Sequence, residues 1–416
     1  MLTDLWPTEH APGEAPWAAI PGLLLRERHH EVSVAFLRRV CPPARLVQAA
    51  THPRRFLAEL DGWLREAVFT SPTHGQFVKS CWYTSPPRHM SQHTWGSWAH
   101  VLAGRRLRRL AADLEPDVLH AHFAVPAGAL AGLLAPRLGI PYVVSVHGAD
   151  LEYTAKLSAK AAGVVGTVLS SADAVIANSS LSATRMERQW AVKHVTTLWQ
   201  GGDSAVSANA AVGDPVRILT VGHLYESKGY GETATILSLA RAKGARFRWT
   251  IVGRGTVGDR LRLETILQSS GLTDVTSVIS QLTNSEVLHT MTESDVFLLL
   301  SKREAYGVVY AEALGAGLAV VGSDAAGAVH DFCRSGAPVL SVRPAVTEAT
   351  TQLVTDLLLD SSRIAARKCE SAEWSRQHLG WGRYVDGLEE VYRRVVSERH
   401  AAGDRGASGR TGSWEG

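Results

Sequence analysis

Short apolar runs of strand length, each closed by a small or polar residue and followed by a helix-like segment, recur along this chain from Asp117. They stop at a Gly-, Ser- and Ala-rich stretch over 203–215 and begin again at Val216. Such alternation predicts parallel α/β sheets, whose functional groups gather at the strands' carboxyl ends. The first series holds strands at Asp117–His122, Pro141–Val146 and Ala174–Ala177, with helices over 127–138 and 151–169. The second holds strands at 216–222, 247–252, 275–279, 298–300, 318–322 and 339–342, with helices between them and a last one over 347–368. With 416 residues the chain is long enough for two cores. The interruption therefore predicts two Rossmann-like domains, 1–202 and 216–375, joined by a linker over 203–215. A helical segment over 376–400 and a Gly/Ser/Arg-rich tail, 401–416, predicted to be disordered, follow. Before Asp117 the pattern is weaker: a helix over 18–28, a strand over 31–36, and a segment over 41–100 with four tryptophans and no clear period.

Composition narrows the class. Hydrophobic residues at 45% and charged ones at 20% describe a globular protein rather than a disordered or fibrous one. No apolar run approaches the roughly 20 residues of a membrane span, and no basic-then-apolar leader opens the chain, so a cytoplasmic protein is expected. Four widely spaced cysteines, Cys41, Cys81, Cys333 and Cys369, form no metal or redox pattern and read as free thiols. Residues 1–202 carry 20 Lys and Arg against 15 Asp and Glu, and 12 of the 17 histidines. This lean suits an acidic partner such as a pyrophosphate-linked acceptor or an anionic membrane, and nothing in it points to nucleic acid. The helical stretch 98–114 carries Arg105, Arg106, Arg108 and Arg109 on one side of a partial apolar face. It reads either as a solvated helix or as a peripheral contact with the inner, anionic membrane surface.

The stretch Leu298–Gly317 reads as a buried strand, a polar turn and a helix beginning near Gly307, with Glu304 in the turn and Glu312 eight residues on. A helix start presents unpaired N–H groups and a partial positive charge, which suits phosphate, while flanking carboxylates can bind hydroxyls. A sugar nucleotide has both features. Acidic residues also occur at helix starts because they favour the helix dipole, so the spacing alone leaves a structural role open.

Glu304-x7-Glu312, with Tyr306-Gly307 inside it, resembles the signature of the retaining glycosyltransferases of family 4, which have the GT-B fold: two Rossmann-like domains facing each other across a cleft, with a C-terminal helix crossing back to the first. His120-x-His122 and His147-Gly148-x-Asp150 resemble the same family, as does Leu2–His10, which matches the end of its first strand and would leave that central strand two or three residues long. The resemblance implies transfer of a hexosyl unit from a nucleoside diphosphate sugar to an acceptor hydroxyl on a glycan, lipid-linked or small natural-product acceptor. It implies that Glu304 holds the donor sugar's hydroxyls and Glu312 the ribose. Lys228 and the amides around Gly307, Val308 and Val309 would neutralise the leaving diphosphate. His147 would touch the donor sugar, with Asp150 orienting it or the acceptor.

One departure stands out. The loop Gly222–Gly229 keeps Lys228-Gly229, but His223 occupies the place of the family's arginine. A neutral imidazole cannot form a guanidinium's bidentate charged fork, so donor binding is expected to be weaker, more pH-dependent, or helped by Arg254 or Lys302. No Asp-x-Asp motif is present, so metal-independent chemistry with no cofactor beyond the donor co-substrate is expected. Two rivals stay open: a catalytically inactive sugar-nucleotide-binding scaffold, and an NAD-dependent oxidoreductase. The latter rests only on Gly253-x-Gly255-x-x-Gly258, a match to the dinucleotide fingerprint that sits at the second strand of its domain instead of the first.

Overall fold

A computed structural model describes residues 1–9, 15–41, 52–64, 71–85, 91–202, 211–280 and 282–408. It divides into two units, one of Met1–Ala177, Ala183–Leu198 and Val385–Gly416, the other of Asn178–Ser182 with Trp199–Tyr384.

The first unit carries a seven-stranded sheet: β1 (Leu2–Thr3), β2 (Val34–Arg39), β3 (Val78–Tyr83), β4 (Leu119–His122), β5 (Tyr142–Val146), β6 (Ala174–Ala177) and β7 (Val195–Thr197). They pair in parallel in the order β3-β2-β1-β4-β5-β6-β7. As the sequence predicts, β1 is only two residues long, yet it pairs with both β2 and β4. Strand β2 starts not at Glu31 but at Val34, where its pairing with β3 at Val78 begins. Strands β4, β5 and β6 are buried along their length, as a parallel sheet requires.

Helices α1 (Pro16–Glu27), α2 (Pro53–Leu64), α3 (Trp95–Leu114), α4 (Ala129–Leu138), α5 (Ala159–Ser171) and α6 (Ser180–Trp190) connect these strands. The segment without clear period thus holds α2, β3 and the start of α3. Helix α3 folds because Gly96, Ala99, Ala103 and Leu107 line one face and are buried. Where the sequence predicts one helix up to Leu169, single turns at 149–152 and 154–156 precede α5, which is capped by Ser158, whose hydroxyl accepts the Ala161 amide at 3.1 Å.

The second unit has six parallel strands: β8 (Val216–Val221), β9 (Phe247–Val252), β10 (Thr276–Ile279), β11 (Val296–Leu299), β12 (Ala319–Ser323) and β13 (Val339–Val342). Their order is β10-β9-β8-β11-β12-β13. The order reverses between β8 and β11, so the loops leaving these two strands flank the point where such sheets bind ligands. Its helices are α7 (Tyr230–Ala242), α8 (Val257–Ser269), α9 (Asn284–Thr292), α10 (Val308–Gly315), α11 (Gly327–Arg334), α12 (Glu348–Leu359) and α13 (Ser361–His378), followed by α14 (Trp381–Ser408). Helix α11 was not foreseen. The helix predicted over 347–368 is two, because Asp360 ends one and its carboxylate caps the next through the Arg363 amide at 3.0 Å.

Three expected boundaries move. The second unit takes in 178–182 and 199–202 and runs to Tyr384 instead of 375, because local hydrogen bonds tie these segments to its sheet. Ser179 Oγ donates to the Ala305 carbonyl at 2.7 Å, and Ser375 Oγ to that of Gly202 at 3.0 Å. Helix α14 begins at Trp381 and, from Val385, belongs to the first unit. It continues to Ser408, into the tail predicted to be disordered, since extending a formed helix costs little and Ala401 and Ala402 favour it. Residues 203–210 of the predicted linker and 409–416 of the tail lie outside the described residues. Among the described residues no helix is long and apolar enough to cross a membrane.

Gly229 sets the course of the loop after β8. Its φ is +74°, and a Cβ there would stand 2.0 Å from the Leu300 carbonyl oxygen at the end of β11. Gly229→Ala therefore has to push the β8 and β11 loops apart and should destabilise the protein by about 3 kcal/mol or more. A urea midpoint equal to wild type would show that this approach is not required.

Candidate active site

The β8 and β11 loops bring opposite charges together. Lys228 closes a short 3-10 turn over Glu226–Lys228, and its ammonium pairs with the Glu304 carboxylate from the β11 loop. Both side chains are mostly buried, at 17% and 21% exposure. The Glu304 main chain is fixed on its other side by a parallel bridge to Ala326 and by the Gly327 amide, which donates to its carbonyl at 3.1 Å. His223, at the start of the β8 loop, stacks on Tyr225 with centroids 5.2 Å apart. Desolvation, then the nearby charges of Lys228 and Arg254, lower its pKa, with Glu304 opposing. Lys228, Glu304, His223 and Arg254 thus form one electrostatic group beside Gly222, with Arg254 at its exposed rim. Lys302 is not part of it. Its ammonium is held by Glu232 at 2.8 Å, which raises its pKa.

Helix α10 starts at Gly307, leaving the amides of Val308 and Val309 in the first turn without intrahelical acceptors. Glu312 lies farther along this helix. Burial pushes its carboxyl up to about 7, and among the described residues no hydrogen bond or ion pair engages that carboxyl. Tyr306 is placed differently from a ligand contact. It is buried, its hydroxyl donates to the Gln200 carbonyl at 2.9 Å and accepts the Gln200 amide at 3.1 Å. It braces the Glu304 loop from behind.

The Gly253-x-Gly255 run has a packing purpose. A Cβ on Gly253 would lie 2.0 Å from the Gly222 carbonyl oxygen, and the Leu224 amide donates to the Arg254 carbonyl at 2.8 Å. The glycine lets the β9 loop lie against the β8 loop and so sets the position of His223. No dinucleotide is needed to account for it.

The first unit supplies a second cluster at the carboxyl ends of β4 and β5. His122 Nδ1 and His147 Nε2 are 3.0 Å apart. His120 is held by the Tyr392 hydroxyl at 2.5 Å and by Ser145 Oγ at 2.8 Å. Trp17 from α1 lies over His147, with centroids 3.9 Å apart, and Phe123 packs 5.0 Å away. Asp150 accepts the Ala124 amide at 2.7 Å and the His147 amide at 3.2 Å. Burial lowers His120 and His147 to about 3 and His122 well below its usual value, and raises Asp150 to about 6. Asp150 orients the His147 main chain, as a hydrogen-bonding carboxylate can. Sequence reasoning noted His120-x-His122 only as a motif. Alternation within a strand places both rings on one face, and that was the available signal that they act together. Trp17 and Tyr392 gave no local signal, since α1 and α14 are far from β5 in the chain.

Residues 24–203 match the family described as Glycosyltransferase Family 4, and residues 204–373 match Glycosyl transferases group 1, together spanning well over half the chain. The chain is 26% identical over 285 residues to the GDP-mannose:cellobiosyl-diphosphopolyprenol alpha-mannosyltransferase of Xanthomonas campestris, covering 67% of this chain and 75% of that one. It shares its fold with sucrose-phosphate synthase from Thermosynechococcus elongatus (TM-score 0.70, 17% identity, 92% and 93% of the two chains). A second similar structure is Anabaena HepE in complex with UDP (TM-score 0.61, 16% identity, 87% and 100%).

The buried imidazoles make the first unit acid-sensitive. Their folded pKa values lie below the unfolded value of about 6.5, so the stability they contribute is complete above that pH and lost as pH falls. Asp150 works the other way, because its raised pKa favours the fold below about 6 and offsets one proton. Urea midpoints should fall between about pH 7.5 and 5, and His120→Gln should flatten that slope by about 1.4 kcal/mol per pH unit. A midpoint that does not change over this range would contradict the burial of these rings.

Proposed function

The chain belongs to the family-4 glycosyltransferases with the GT-B fold, and from that premise we propose that it moves a hexosyl unit from a nucleoside diphosphate sugar to an acceptor hydroxyl. Transfer proceeds with retention at the anomeric carbon and without a metal ion. The observation that carries this reading is the Lys228–Glu304 pair at the reversal point of the second sheet. Pairing holds the ammonium at the strand ends, where a diphosphate adds acceptors around it, and the first-turn amides of α10 add donors. Stabilising negative charge on the leaving diphosphate is the main electrostatic requirement, and fixed donors meet it at low reorganisation cost. Glu304 then binds sugar hydroxyls, and the unpaired, desolvated Glu312 binds the ribose. HepE, which shares the fold, is described with UDP, and this supports a nucleotide as the leaving group. His147 contacts the donor sugar in this reading.

His223 makes donor affinity depend on pH. The ring is neutral at pH 7, and a bound diphosphate favours its protonated form, so affinity rises as pH falls. Calorimetry with UDP should show tighter binding at about pH 6 than at about pH 8. His223→Arg should bind more tightly and remove most of that dependence; unchanged affinity would place the diphosphate elsewhere. Glu304→Gln should retain its circular dichroism spectrum and lose about a hundredfold or more in turnover of the nucleotide sugar that stabilises the protein in a thermal-shift panel. Near-normal turnover would refute its role, and failure to hydrolyse or transfer any member of the panel would favour the inactive scaffold.

A second reading concerns α3. Trp98, Val101 and Leu102 are 40%, 72% and 49% exposed, ahead of the exposed Arg105, Arg106 and Arg109, and Arg106 lies over the exposed Trp82 ring at 5.6 Å. We propose that this face rests on an anionic membrane surface of the cytoplasm. The protein should co-sediment with phosphatidylserine vesicles at low salt and not with phosphatidylcholine vesicles, and Arg105→Glu with Arg109→Glu should abolish it. Equal binding to both vesicles would rule out charge recognition.

A further inference from the structure

Lys228 and Glu304 neutralise each other, so the pair by itself offers a diphosphate no net positive charge. His223 adds none at pH 7, because desolvation and its cationic neighbours hold the ring below the usual histidine pKa. Two further cations nearby are engaged elsewhere: Lys302 is held by Glu232 at 2.8 Å, and Arg262 by Asp259 at 3.2 Å. Arg254 differs from all of these. It is exposed, and among the described residues no carboxylate pairs with it and no hydrogen bond engages its guanidinium.

The main chain fixes where this arginine stands. Arg254 is the middle residue of Gly253-Arg254-Gly255, in the loop between β9 and α8. A Cβ on Gly255 would lie 2.8 Å from Leu224 Cβ and 3.0 Å from Asp259 Cβ, as one on Gly253 would meet the Gly222 carbonyl oxygen. Between these two close approaches the Leu224 amide donates to the Arg254 carbonyl at 2.8 Å, and Leu224 is buried. The β9 loop is thus pinned along the residues on either side of His223. Its far end is fixed as well, since the Thr256 amide donates to the Asp259 carboxylate at 2.9 Å and the Asp259 amide to Thr256 Oγ1 at 3.2 Å. The Arg254 charge reaches His223, where it opposes protonation together with Lys228 while Glu304 favours it. On the other side, the His223 ring is stacked on Tyr225.

We infer that Arg254 supplies, from the β9 loop, the guanidinium that the β8 loop lacks at His223, and that it binds the diphosphate of the donor. Lys228, Glu304 and Arg254 together leave one positive charge, and a guanidinium presents two parallel N–H donors to a phosphate. The glycines that imitate a dinucleotide fingerprint then serve to hold the residue between them beside the β8 loop. The diphosphate contact rests on the proposed donor site; the position of Arg254 beside His223 does not.

The test uses the full chain and calorimetry with UDP and GDP, which share the diphosphate. Arg254→Ala should weaken binding of the preferred nucleotide by about tenfold. Arg254→Lys keeps the charge without the fork and should recover part of that loss. His223→Arg should rescue Arg254→Ala to about wild-type affinity, which a residue acting only through folding would not allow. A second readout needs no ligand: at low salt, Arg254→Ala should raise the His223 pKa, followed by ring resonances assigned through His223→Gln, and Arg254→Lys should leave it nearly in place. An unmoved His223 pKa in Arg254→Ala overturns the placement. Affinity unchanged in Arg254→Ala but lost in Lys228→Ala overturns the diphosphate contact and leaves the donor site standing. Wild-type protein that binds neither nucleotide refutes the donor reading itself, and this inference with it.

Discussion

The ion pair between Lys228 and Glu304 is the constraint on which the second unit's site depends. Two loops that leave strands on either side of the sheet's reversal point each carry a mostly buried charge, and each is the other's counter-ion. Their pairing fixes the loops relative to one another. Tyr306 behind Glu304 and Gly253 beside Gly222 then hold each loop from the far side. The site is in this sense over-determined: its charged residues are placed by packing, and no single side chain sets the geometry.

The first unit's cluster follows a different rule. There the polar groups are imidazoles and one carboxyl group, and burial drives all of them towards neutrality. The two units are thus built on different electrostatics, one on a paired ammonium and carboxylate with helix-start amides, the other on buried neutral rings.

Much of this was legible in the sequence. Residues that alternate or terminate strands announced both sheets; Glu304 and Glu312 stood out by their spacing across a turn between strand and helix, and Lys228 only through the family resemblance. What the sequence could not show depends on distant contacts. Tyr306 looks like a ligand residue beside Gly307 until Gln200 is seen to hold its hydroxyl. The break at Asp360 is a cap that also reads as an ordinary helical acid, and α11 is short and lies between a strand and a turn, where a period cannot establish itself. The predicted boundary at 202 followed composition, which does not register that Ser179 and Gln200 bond to residues more than a hundred positions away.

Asp331 shows what that last point means for rearranging such proteins. This buried carboxylate accepts from the Ser180 amide at 2.8 Å, from the Ser180 hydroxyl and from Trp199 Nε1 at 3.1 Å. All of these donors precede the Gly/Ser/Ala-rich stretch at which a chimera between relatives would most naturally be joined. A graft spliced there would bring Asp331 and Tyr306 from one parent and their partners from the other. The heritable module is thus a discontinuous one, and recombination that respects it must exchange Asn178–Ser182 and Trp199–Gly202 together with the sheet they serve.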